Sequence, residues 1–73
     1  MPRADGIEAK GRVMESLPSG VCRVELPNGH RILAYRSRKL RAAGTEFVPG
    51  DRVIVEMSPF DMSRGCILNR NET

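Results

Sequence analysis

Aromatic side chains are scarce in this 73-residue sequence: one tyrosine, two phenylalanines and no tryptophan. That scarcity argues against a protein that grips unstructured single strands on an array of surface aromatics. One histidine, His30, and two distant cysteines, Cys22 and Cys66, supply no metal-ligand set, because zinc sites draw on close pairs such as C-x-x-C. Two cysteines are also too few for the disulfide framework of a small secreted domain, and they read as small hydrophobes in or beside the core. No apolar run approaches the roughly 18 residues of a membrane helix, and no charged-then-apolar layout opens the chain. The expected setting is the cytoplasm, with no membrane partner.

Catalytic equipment is equally thin. His30 is expected in a hairpin turn rather than as a general base. No glycine-rich phosphate loop opens a helix, and there is no G-x-S-x-G. Asp51 beside Gly50, and Asp61 within SPFDMS, read as turn chemistry. No enzyme activity, cofactor or metal is expected.

What the sequence has is positive charge, unevenly spread. Twelve basic residues stand against nine acidic ones, a net +3, with an isoelectric point near 9.4. Residues 1–30 are balanced, so the excess lies in 31–73. The stretch RILAYRSRKLR holds Arg31, Arg36, Arg38, Lys39 and Arg41 without one acid. Such a cluster repels itself and favours a polyanionic partner, although a solvated face is the plainer alternative. Arginine outnumbers lysine ten to two, which suits bidentate phosphate contacts and planar stacking. Tyr35, flanked by Arg31 and Arg36, is the candidate stacking platform. Phe47 and Phe60 lie beside apolar neighbours and are expected to close the core. Phosphates and shape, more than unstacked bases, are therefore the expected features read on an RNA.

Seven glycines and five prolines punctuate short segments of period-two alternation. The first spans roughly 6–16, with Ile7, Ala9, Gly11 and Val13 on one face and a bend or bulge expected at Gly11. Cys22, Val24 and Leu26 alternate in VCRVEL, and Asn28-Gly29 is a strong hairpin signal. Ile32 and Ala34 point inward in RILAYR, leaving Leu33 and Tyr35 outside. Val53, Val55 and Met57 point inward in DRVIVEM. Turns are expected at Ser58-Pro59 and Ser63-Arg64-Gly65, with a last strand GCILNR carrying Ile67 into the core. Ser37 to Gly44 breaks the alternation as a short helix with a serine N-cap and a terminal glycine, docked through Leu40. Three strands, a helix and two strands give an all-β fold: a five-stranded Greek-key OB-fold barrel with a short helix between strands three and four. An SH3-like barrel is the rival, and the helix position favours OB. A chain of this length buries only about 60% of its unfolded surface and makes one domain, 1–73, with fraying expected near 1–5 and 71–73.

Three motifs then carry a resemblance. Gly11 to Pro18 reads G-x-V-x-E-x-L-P, Arg23 to His30 reads RVELPNGH, and Gly50 to Ile67 reads GDRVIVEMSPFDMSRGCI. In that order, and without gaps over residues 5–70, they resemble bacterial translation initiation factor one. The resemblance implies an OB-fold factor bound to rRNA at the aminoacyl-tRNA site of the small ribosomal subunit, beside a ribosomal protein. Such a factor excludes tRNA there, acts with initiation factors two and three, and works as a monomer. It also implies RNA contacts for Lys39 and Arg41, and for Arg64 and Arg70 around the last strand. Arg23 and His30 match family positions, and Tyr35, Arg36 and Arg38 complete the candidate surface.

The chain departs from the family pattern where basic residues are common: it has Cys66, Ala42 and Glu46 there, and it ends Asn71-Glu72-Thr73. Arg38, where glycine is frequent in the family, returns one charge. A general single-stranded RNA binder and a protein-adaptor barrel are the other two classes open at this point.

Overall fold

The computed structural model describes residues 6–71. The alternating segments form β1 (Ile7–Ser16), β2 (Val21–Glu25), β3 (Arg31–Arg36), β4 (Arg52–Ser58) and β5 (Asp61–Arg70), with the helix α1 (Arg38–Ala42) between β3 and β4. They close into a barrel in the order β1-β2-β3-β5-β4, with β4 returning to pair with β1. All pairings are antiparallel except β3 with β5. A parallel neighbour requires a crossover, and α1 and β4 make it. Closure gives every strand a neighbour on both sides, which is how a chain of five short strands avoids edge-to-edge association. This is the expected OB-fold.

Register explains the core. Val13 faces Val24, and Val24 faces Ile32, so one residue from each of three neighbouring strands points to the axis at the same level. Val53, Val55 and Ile67 fill the interior from β4 and β5, and all three are fully buried. Each such side chain contributes about 1.5–3 kcal/mol by leaving water. Cys22, Leu26, Ala34, Leu40, Phe47 and Met57 complete the core. Leu33 and Tyr35 face outward, as the alternation requires.

α1 is short but well bounded. Ser37 accepts the Leu40 N–H at 3.3 Å as its N-cap. At the other end Gly44 takes a positive φ of 69°. There the Gly44 N–H donates to the Arg41 carbonyl and the Thr45 N–H to the Leu40 carbonyl, the paired bonds of a Schellman stop. Leu40 is the buried residue of the helix.

Three details differ from the sequence reading. The irregularity in β1 falls between Val13 and Glu15 rather than at Gly11. Gly11 is needed for proximity instead: a Cβ there lies 2.4 Å from Val24 Cγ1. Phe60 does not close the barrel. Ser58 pairs with Asp61, so Pro59 and Phe60 form the tip of a tight hairpin and Phe60 is 85% exposed. β5 begins at Asp61 and runs straight through Ser63-Arg64-Gly65. Buried Gly65 serves a close crossing there, with its Cβ position 3.0 Å from both the Glu56 carbonyl and Ile32 Cδ1. Of the ends expected to fray, 1–5 and 72–73 lie outside the described residues, while the Asn71 N–H donates to the Arg52 carbonyl at 2.8 Å.

Candidate nucleic-acid interface

The outward side chains of β2, β3 and β5 fall into rows set by register. Arg23, Leu33 and Arg64 form one row, and Val21, Tyr35 and Cys66 form the next. Tyr35 is 55% exposed and Leu33 41%, so an aromatic and an aliphatic surface lie between cations. Two shallow grooves follow these rows. One, of about 370 Å³, is bounded by Arg23, Arg31, Leu33 and Arg64. The other, of about 500 Å³, runs between Tyr35, Ser37, Arg38, Arg41 and Cys66. Strand alternation thus brings Tyr35 and Arg64 from distant parts of the chain to one wall, and α1 adds its cations at the side.

The expected contact cations fall into two sets, and of them Lys39 and Arg70 line neither groove. Arg38, Lys39 and Arg41 are exposed on α1, and among the described residues none forms an ion pair. Arg64 stands likewise. Lys39 and Arg41 lie in the last turn of the helix, where the exposed carbonyl ends favour positive charge. The other expected contact residues are engaged within the fold. Arg23 pairs with Glu15 at 2.7 Å. Arg36 is half-buried: its Nη1 donates to the Thr45 carbonyl at 2.6 Å, and its guanidinium packs over Gly20, where a Cβ would lie 2.6 Å from Nη2. Arg70 pairs with Asp51 at 2.9 Å and lies 4.8 Å from the Phe47 ring centroid, a cation–π arrangement.

Titration follows these contacts. The Asp51 carboxyl is held below its ordinary value, first by the Val48 N–H and then by Arg70. The Asp61 carboxyl is also lowered, by the Ser63 hydroxyl and then the Ser63 N–H. Both aspartates do the turn work expected of them. Burial pushes the Cys66 thiol up, with smaller charge effects, and the buried Glu56 lines the groove beside it. Cys22 is raised for the same first reason, and both cysteines are free. His30 has one contact that sequence reasoning missed: its Nε2 lies 2.9 Å from the Met62 carbonyl, tying the β2–β3 loop to β5. No local signal marks a link across 32 residues.

Among the described residues no cluster of histidine, cysteine or carboxylate is arranged to hold a metal ion, and no helix is long and apolar enough to cross a membrane. Barrel, crossover helix and cation-rich outer wall together define an OB-fold with open, shallow grooves on its surface. The whole sequence, residues 1–73, matches the family described as Translation initiation factor 1A / IF-1. The chain belongs to this translation initiation factor family.

Solved structures agree. The chain is similar to translation initiation factor one from the Wolbachia endosymbiont of Brugia malayi, at 37% identity and a TM-score of 0.76, over 94% of this chain and 82% of that one. It is also similar to part of YjeQ from Thermotoga maritima, at 28% identity and a TM-score of 0.70. There the match covers 90% of this chain but only 23% of the other, so the likeness is to one portion of a longer protein.

Proposed function

We propose that the protein is a non-catalytic, monomeric initiation factor of the cytoplasm that binds rRNA at the aminoacyl-tRNA site of the small ribosomal subunit. There it keeps tRNA out and supports the action of initiation factors two and three. The observation that carries this reading is the set of exposed cations on α1 beside the Tyr35 groove, in a chain of the initiation factor family. Arg38, Lys39 and Arg41 present guanidinium and ammonium groups to phosphates, and Arg64 extends the contact along β5. Tyr35 offers one face for a base or ribose. Arg23, Arg36 and Arg70 stand at the margins, each already holding part of the fold.

The mechanism is occupancy. A rigid body 28 × 26 × 26 Å across fills the cleft, and no bond is made or broken. Charge gives affinity, and the fit of the barrel into a preformed RNA and protein cleft gives specificity. The experiment is competition on purified small subunits. The labelled protein binds one per subunit and is displaced by a ligand of the aminoacyl site. Simultaneous binding of both, or equal affinity for unstructured RNA, contradicts the reading.

A further inference from the structure

A third groove shares no lining residue with the α1 groove. It has a volume of about 470 Å³ and lies over β1 and the start of β4, beside the Leu26–Gly29 loop. Lys10 and Arg12 point outward from β1, two residues apart. Across the β1–β4 pairing Arg12 sits directly opposite Arg52. Two like charges facing each other across a strand pair are destabilising, and among the described residues neither forms an ion pair. The nearest acid in the register is Glu25, opposite Arg12 on the β2 side, and its carboxylate is engaged by Arg31 at 3.3 Å.

We propose that this groove binds the phosphate backbone of an RNA strand through Lys10, Arg12 and Arg52, making a second contact separate from the α1 wall. The inference rests on the reading of the chain as an rRNA-binding factor. Lys10, Arg12 and Arg52 outnumber Glu25, the one acid that lines the groove, and two facing guanidiniums can engage phosphates bidentately. Among the described residues no aromatic lines the groove, so it takes backbone rather than bases. A bound strand also screens the Arg12–Arg52 repulsion, so binding is favoured by what disfavours the free protein.

The test is the full-length Arg12→Gln/Arg52→Gln double variant. It is expected to melt at or above the wild-type temperature, since the facing charges are gone. Its affinity for small subunits falls at least about tenfold at moderate salt, and the slope of log affinity against log salt falls by about two units. Wild-type affinity and slope in a folded double variant overturn the proposal. A parallel NMR titration of the wild type uses a ten-nucleotide single-stranded RNA and, separately, polyglutamate. Shifts of the Arg12 and Arg52 side-chain N–H signals with RNA support the site, whether or not the protein binds subunits. Shifts with polyglutamate alone overturn it. Failure of subunit binding by the wild type itself counts against the proposed function, and the NMR arm still decides this groove.

Discussion

Arg36 and Arg41 lie five residues apart, carry the same group and line the same groove, yet they are used differently. Arg36 is half-buried at the end of β3, bonded to the Thr45 carbonyl and laid over Gly20. Arg41 stands exposed on α1 with no ion pair among the described residues. The same contrast separates Arg70, fastened to Asp51 and Phe47, from Arg64 on the same strand. Engaged arginines hold the segment after α1 against the barrel. The exposed ones remain available to an outside anion.

Substitutions test this division, and the largest effect should come from the residue that docks the helix. Leu40→Ala removes the buried anchor of α1 and is expected to lower stability by about 2–5 kcal/mol in denaturant unfolding. Subunit binding should fall with it, since the cations then have no fixed platform. Next come Lys39→Ala and Arg41→Ala, each expected to weaken subunit binding by about 1–3 kcal/mol while leaving the melting temperature unchanged. Unchanged binding in the two single variants would place these cations with the solvated charges and erase the division. Arg36→Ala should do the reverse. Removing its charge-assisted bond to Thr45 lowers stability by about 1–2 kcal/mol, read as an earlier denaturant midpoint with the same slope. The smallest effect concerns acid. The folded-state value of Asp51 is lowered, so its stabilising contribution is present above the ordinary carboxylate range and is lost as pH falls through the lowered value. Asp51→Asn should flatten the acid limb of a stability–pH curve and leave neutral-pH binding intact.

The division was only half legible in the sequence. Alternation located the five strands, and the Ser37 and Gly44 signals located the helix, because those are local consequences of side-chain period and backbone preference. The acid-free run 31–41 also marked the cation cluster. Which members of that run would be engaged was not legible: Arg36 meets Gly20 and Thr45 only through closure of the barrel, and Arg70 meets Asp51 across the β4–β5 end. Phe60 departs from expectation for a related reason. Its apolar character suggested burial, but the Ser58–Asp61 pairing places it at a hairpin tip, with its own N–H donated to the Ser58 hydroxyl at 3.1 Å. The Lys10–Arg12–Arg52 groove is not legible in the sequence because its charges are dilute along the chain and meet only where β4 returns to β1.

The most direct test is binding of the Lys39→Ala/Arg41→Ala double variant to small ribosomal subunits across a salt series, with its thermal melt recorded beside it. An unchanged melt, weaker binding and a salt slope reduced by about two units are predicted, one unit for each phosphate no longer neutralised. A folded double variant that binds with wild-type affinity and slope would contradict the claim that the exposed cations of α1 hold the RNA.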